Sequence, residues 1–349
     1  MAQMNALGIN IFGGGFTLGV RRAGFRILGQ WEECNAGART FDLNTQYFGG
    51  IHRPLRYGDW PLLEVAHPHL IYANPPCAPW SAANTRLGRV PADRLVDPRL
   101  AMTKLTMETA MVLKPEVFVC ESVARAYTLG RSYYDAWAER WLALGYGVTY
   151  YLTDALLCGL PSTRNRFHFI THRNELVIDE PRRDFIPKTT ASVLADIQDD
   201  FGHLTGHVPK RFSPEVHAQM EKCEEGRELR EVGEACAKWS FLYRKLVWDA
   251  PGFTVINLEM LVHPRRPRLI TKREGLRLCG YPDDFGVVEM PAATQAVMPT
   301  MGEHLALIAA RSIDSEMPAD RELVIVDHRP HAKPYTPGAV RAAMNEEFI

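Results

Sequence analysis

Between residues 8 and 170 short apolar runs alternate with amphipathic segments, and no other property of the chain narrows its fold as far. The runs fall at 8–12, 26–30, 70–73, 117–120, 148–151 and 167–171, and read as strands; 97–113 and 132–144 carry helical spacing. Strands that alternate with helices build parallel sheets covered on both faces, so this region predicts an α/β, doubly wound sheet. From about 172 to 262 the pattern changes. Charges multiply, β-rich runs thin out, and helical patches at 214–230 and 231–247 suggest a separate unit. Thr271, with Glu274 three residues later, then forms a capping box for a helix over 272–279 that Gly280 ends. An amphipathic helix at about 300–314 is placed to return to the first domain, and the polar remainder holds one strand-like run at 322–327. The expected division is therefore 1–171, 172–289, 290–314 and a C-terminal extension at 315–349.

At 349 residues the chain is long enough for a full α/β core and a second, smaller unit. Forty basic against 41 acidic residues give a net charge of −1, which excludes a tail-driven polyanion binder but leaves room for local basic patches. The seven cysteines are widely spaced and form no C-x-x-C pair, a reduced pattern without a zinc or redox signature. Residues 1–11 lack a charged segment followed by an apolar one, and no stretch is long enough to span a bilayer. A soluble, cytoplasmic protein is the expectation.

Asn74-Pro75-Pro76-Cys77, with Ser81 four residues on, places a thiol at the exit of the 70–73 strand, in a turn stiffened by two prolines. Alone, such a cysteine also reads as a buried structural residue. Phe12-Gly13-Gly14-Gly15-Phe16 follows the first strand and opens a helix, where backbone N–H groups approach a nucleotide-like ligand. Glu32 ends the second strand, placed to accept from ribose hydroxyls, and Asp59 ends what would be the third. Glu121 follows the apolar run Val117-Phe118-Val119-Cys120, a setting that favours a proton-donating carboxyl. Arg164 and Arg166 alternate as on a strand, so both guanidinium groups face one side. Ordinary alternatives exist for each: a capping or salt-bridged acid, a solvated arginine face.

Taken in order, these pieces resemble the DNA (cytosine-5-)-methyltransferase family from about residue 9 to 310. The resemblance is carried by the glycine turn with Glu32, Tyr57-Gly58-Asp59, Asn74-Pro75-Pro76-Cys77 with Ser81, Asp97-Pro98-Arg99, Glu121-Ser122-Val123 and Gly159-Leu160-Pro161 leading to Arg164 and Arg166. Later come His263-Pro264, the run from Arg268 to Glu274, Gly280-Tyr281-Pro282-Asp283-Asp284-Phe285 and Ala296-Val297-Met298-Pro299. The resemblance implies a class I, Rossmann-like S-adenosylmethionine-dependent methyltransferase with a smaller target-recognition domain, acting on double-stranded DNA as a monomer in a restriction–modification setting. It assigns Cys77, Glu121, Arg164 and Arg166 to catalysis. It assigns Phe12, Gly13, Gly14, Gly15, Glu32, Asp59, Trp60, Asn74, Pro76 and Gln295 to S-adenosyl-L-methionine. Ser81, Arg86, Arg89, Arg244 and Arg265 fall to DNA, and no residue to a metal. Arg94 joins Arg86 and Arg89 in a segment expected to touch phosphates, and Lys210, Arg211, Lys245 and Arg266 join the basic residues of the recognition unit.

The chain departs from the family pattern in four places. The glycine loop is two residues shorter than Phe-x-Gly-x-Gly-Gly, Ser122 and Ser162 replace Asn and Gln, and Thr294-Gln295 stands where Gly-Asn precedes Ala-Val. Three alternatives stay open: methylation of an exocyclic amine, which Asn-Pro-Pro also serves, a different alkyl donor, or a catalytically silent DNA-binding homologue.

Overall fold

The computed structural model describes residues 3–48, 51–53 (backbone), 68–81, 94–182, 186–197, 199, 201–239, 243–255 and 260–329. Contacts divide the chain into two units. The first holds Met1–Asp154, Asn165–Arg182 and Val287–Arg329, and the second holds Ala155–Arg164 and Arg183–Gly286.

The first unit is built on an eight-stranded sheet. Its strands are β1 (Asn5–Ile9), β2 (Arg26–Trp31), β3 (Ile51–Arg53), β4 (Leu70–Ala73), β5 (Val117–Val123), β6 (Gly147–Asp154) and β7 (Asn165–His172). The run expected at 322–327 forms β10 (Leu323–Asp327). The order is β10-β6-β7-β5-β4-β1-β2-β3, with β7 antiparallel to both neighbours and the other pairings parallel. β10 pairs with β6 from Leu323 opposite Val148 to Asp327 opposite Leu152, so this part of the C-terminal segment belongs to the sheet. The first strand ends at Ile9, three residues earlier than expected, because Asn10 and Phe12 have φ of 53° and 49° and cannot continue extended pairing.

Strand order reverses at β1, which lies between β4 and β2. At such a reversal neighbouring crossovers depart to opposite faces and leave a crevice at the strands' carboxyl ends. Helix Gly15–Arg22 leaves β1 there and packs on helix Pro299–Asp314. Their approach is close: a Cβ on Gly19 would sit 2.3 Å from the Pro299 carbonyl oxygen. Helix Leu100–Leu113 starts later than the expected 97 because Asp97 and Arg99 bond to each other ahead of it. Trp141, Tyr134, Tyr146, Tyr150, Phe118 and Phe167 fill the core below the β5–β6 half of the sheet. Tyr146 Oη and Tyr150 Oη reach the Pro115 carbonyl and Asp135, so these rings are buried without stranding their hydroxyls.

The second unit holds a smaller core of Met220, Cys223, Leu229, Cys236, Val262 and Leu269. Among the described residues of the two expected helical patches, only Pro214–Lys222 is an α-helix. Short 3₁₀ turns at Leu229–Glu231 and Glu234–Cys236 and the strand β8 (Arg244–Lys245), paired with β9 (Leu261–Val262), replace the rest. Gly226 with φ of 84° breaks the first patch, and Gly233 interrupts the second. Thr271 and Glu274 do form the capping box of helix Lys272–Leu278, and Gly280, at φ 78°, follows its end.

Candidate active site

Three neighbouring strands, β7, β5 and β4, deliver side chains to one edge of the sheet. β4 and β5 run parallel with Ala73 opposite Cys120, which brings the next residues, Asn74 and Glu121, side by side. Asn74 Nδ2 donates to Glu121 Oε2 across 2.5 Å, both residues being buried. The antiparallel β7 begins at this edge, and its Arg166 Nε stands 2.6 Å from Glu121 Oε1. Asn74 is thus hydrogen-bonded to Glu121 and Arg166 is ion-paired with it. A buried carboxylate is tolerated inside a protein when an opposite charge stands against it.

Cys77 lies half-exposed beyond Asn74, in a turn where Trp80 N and Ser81 N both donate to its carbonyl, at 3.0 and 3.1 Å. The Trp80 ring is buried against Tyr133 and Tyr134, with centroids 5.8 and 6.2 Å away, and this fastens the turn to the core. Pro76 is exposed and Ser81 half-exposed. Ser122 is buried. Arg164 falls in the second unit, where its carbonyl accepts from Ala155 N and its charge partly offsets the burial that raises the Cys279 thiol. Ser162, in the same unit, donates to the Leu278 carbonyl oxygen at 3.2 Å.

At the end of β1 the chain makes a cramped turn with Asn10, Phe12 and Gly14 all at positive φ. Asn10 tolerates this conformation and anchors it by donating to Thr106 Oγ1 at 2.7 Å. A Cβ on Gly13 would lie 2.1 Å from the Ala292 carbonyl oxygen, and one on Gly14 would lie 2.4 Å from the Phe48 ring. Packing of the protein on itself thus demands these two glycines. Ala292 and Phe48 were invisible to sequence reasoning because they come from distant segments. Gly15 is the buried first residue of the following helix.

Glu32, at the end of β2, accepts from Phe12 N at 2.5 Å and Cys34 N at 2.6 Å. Burial outweighs these hydrogen bonds and pushes its pKa up to about 7. Each oxygen carries two acceptor sites, so the carboxylate keeps capacity for a diol while it holds the loop. Gln295 is exposed at the end of helix Met290–Thr294, and Thr294 is buried. Asp59, Trp60, Arg86 and Arg89 lie outside the described residues.

In the second unit the basic residues divide by environment. Lys245 is buried and donates to the Met220 and Cys223 carbonyl oxygens at 3.2 and 2.9 Å, so it caps the end of helix Pro214–Lys222 and does not meet phosphate. Arg244 is paired with Glu228 at 2.8 Å, Arg265 with Glu225 and Asp249 at 3.4 and 3.7 Å, and Arg266 with Asp199. Lys210 and Arg211 are exposed and line a cleft of about 380 Å³ with Phe201, Val208 and Pro267. His207 spends both ring nitrogens on Thr271 Oγ1 and the Ile197 carbonyl, at 2.8 and 2.5 Å. Among the described residues no cluster of metal-ligating side chains occurs, and no helix is long and apolar enough to cross a membrane.

A family model described as C-5 cytosine-specific DNA methylase matches residues 10–317. Among curated proteins, the type II methyltransferase M1.HphI of Haemophilus parahaemolyticus is 27% identical over 318 residues, 84% of this chain and 83% of that protein. A putative type II methyltransferase of Methanocaldococcus jannaschii is 27% identical over 295 residues, covering 81% and 89%. A solved structure of a putative DNA modification methyltransferase from an E. coli prophage superposes with a TM-score of 0.67 at 18% identity, over 90% of this chain and 100% of that one. DNMT2 of Spodoptera frugiperda shares the fold at a TM-score of 0.58 and 13% identity, over 88% and 100%.

Proposed function

Because this chain belongs to the C-5 cytosine-specific DNA methylase family, and is thus a DNA cytosine methyltransferase, we propose that it methylates carbon 5 of a cytosine swung out of double-stranded DNA, through a covalent bond from Cys77. The observation that carries the reading is the grouping at one sheet edge: a half-exposed thiol three residues beyond Asn74, whose own amide, with Arg166, holds a buried carboxylate. Carbon 5 of cytosine is too weak a nucleophile to be alkylated directly. The Cys77 thiolate gives its electron pair to carbon 6, and the ring becomes an enamine that is nucleophilic at carbon 5. Glu121, at the N3 edge, stabilises the charge that the ring gains, while Asn74 and Arg166 fix the carboxyl's direction. Once carbon 5 bears the methyl group, a solvent molecule takes its proton, the freed electron pair restores the C5–C6 double bond, and the C6–S bond breaks to return Cys77 as a thiolate. A stacked base is out of reach of these groups, so the nucleotide must leave the helix.

The residues at the β1 and β2 exits fit S-adenosyl-L-methionine: a tight backbone turn entering helix Gly15–Arg22, and a carboxylate with acceptor sites for ribose hydroxyls. When bound, the cofactor supplies an electrophilic sulfonium methyl. Phe12, Gly13, Gly14, Gly15 and Glu32 would hold it, with Asp59, Trp60, Pro76 and Gln295 as further members of the set. Ser81, Arg86 and Arg89 would meet the DNA near the flipped base, and Arg244 and Arg265 would do so only by exchanging carboxylate partners for phosphates. Arg164 is proposed to support the base edge. A monomer in the cytoplasm within a restriction–modification pair is the matching setting.

The deciding experiment incubates the protein with S-adenosylmethionine and DNA containing 5-fluorocytosine. The fluorine cannot leave as a proton does, so a covalent complex resistant to denaturant is expected from the native protein and none from Cys77→Ala. A Cys77→Ala variant that still methylates at the native rate overturns the assignment.

A further inference from the structure

Arg94 was expected among the phosphate contacts, yet its side chain is turned inward and the residue is 3% exposed. Its Nη1 donates to the Pro79 carbonyl oxygen at 2.7 Å and, more weakly, to that of Ser81 at 3.4 Å. Both carbonyls belong to the turn that begins at Cys77, and Trp80 and Ser81 close that turn by donating to the Cys77 carbonyl. Trp80 therefore anchors the turn from the core and Arg94 grips its outward carbonyls.

Arg94 is itself held in place. Its carbonyl accepts from Asp97 N at 3.2 Å, and the buried Asp97 carboxylate grips Arg99 through Nε and Nη2 at 2.8 and 2.6 Å. Arg99, with Asp97 as the main cause and Cys77 as a lesser one, has its pKa raised, so its guanidinium lies within electrostatic reach of the sulfur.

We propose that Arg94 is a positioning residue for the nucleophile: by bridging the Pro79 and Ser81 carbonyls it sets the direction of the Cys77 thiol, and it does not bind DNA. The proposal rests on the reading of Cys77 as nucleophile. A misplacement of about 1 Å at a reacting atom costs on the order of a hundredfold in rate, so the loss of this bridge should be seen in turnover and not in DNA affinity.

The test compares the native protein with Arg94→Gln and Arg94→Lys in three assays: single-turnover methylation at saturating DNA, the salt dependence of DNA binding, and the pH–rate profile of Cys77 alkylation by iodoacetamide without DNA, read by peptide mass spectrometry. For Arg94→Gln we expect a roughly ten- to hundredfold fall in turnover and an altered alkylation profile, with an unchanged salt slope. Arg94→Lys, which keeps a buried cation and a donor, should recover part of both. A salt slope reduced by about 1, with turnover and alkylation intact, makes Arg94 a phosphate contact and overturns the proposal. If Arg94→Gln does not fold, Arg94→Lys decides alone, since native turnover and alkylation in that variant also overturn it. The alkylation assay needs only the thiol, so failure of the Cys77 reading, seen with Cys77→Ala, is distinguishable from failure of this one.

Discussion

Asn74 and Glu121 meet side chain to side chain across 2.5 Å, one at the exit of β4 and the other on β5, and this pair orients the carboxyl around which the site is organised. Glu121 is thus held by a neutral donor on one oxygen and by Arg166 on the other.

Asn74→Asp replaces that donor with a second acceptor. Two carboxylates this close cannot both stay ionised, and the pair recovers its hydrogen bond only by sharing a proton. Single-turnover methylation at pH 7.5 should fall by about a hundredfold, and the pH optimum should move to the acid side. A loss of the same size at every pH would show that Asn74 acts only in folding.

If Glu32 holds the cofactor ribose as proposed, its ionisation should set the pH dependence of cofactor binding. Its folded pKa of about 7 lies above the ordinary 4.5, with burial as the main cause, so between these values the folded state holds a proton that the unfolded state has lost. Its contribution to stability is complete below the ordinary value and disappears as pH rises through about 7. Ribose hydroxyls donate to the ionised form. Affinity for S-adenosylhomocysteine should therefore strengthen from pH 5.5 to 8, by at most about tenfold per unit, and Glu32→Gln should flatten the curve. Calorimetry in buffers of different ionisation enthalpy reads both the affinity and the released proton.

Gly14→Ala combines two penalties. The left-handed backbone at φ 82° costs a Cβ about 1–2 kcal/mol, and collision with the Phe48 ring adds about 1–3 kcal/mol. A second change, Phe48→Ala, removes the collision and leaves the backbone strain. Urea denaturation of the four proteins should give a favourable coupling of roughly 1 kcal/mol or more between the two substitutions.

In the second unit, Glu274 binds Arg268 through both oxygens at 2.6 and 2.7 Å and also accepts from Thr271 N at 2.8 Å. Burial opposes ionisation, but Arg268 prevails and holds the carboxyl below its ordinary range. Glu274→Ala leaves Arg268 buried without this partner and should cost about 3–5 kcal/mol at pH 7. Because the folded pKa is depressed, this contribution is present above the ordinary carboxylate value and lost as pH falls through the folded one. The gap between native and variant denaturation midpoints should narrow on acidification.

The order of elements was legible because it is written in local pattern. The 70–73 run became β4, the Thr271–Glu274 spacing became a capping box, and the Asn-Pro-Pro-Cys motif stands at a strand exit as its prolines require. The second unit was legible only in part. Gly226 and Gly233 broke the two stretches expected to be helical, and Lys245 turned inward to cap one.

Chemistry-bearing residue types and the α/β class follow from the sequence alone, since hydrophobic periodicity and motif spacing act over a few residues. Which atoms meet was decided only by the tertiary structure. The parallel register of β4 and β5 joins Asn74 to Glu121, the antiparallel insertion of β7 brings Arg166 to the same carboxylate, and burial turns the Arg94 side chain, expected to meet phosphate, onto the carbonyls of the Cys77 turn. The physical reason is that register, burial and the pairing of a buried charge depend on contacts between segments far apart in the chain, which no local pattern encodes.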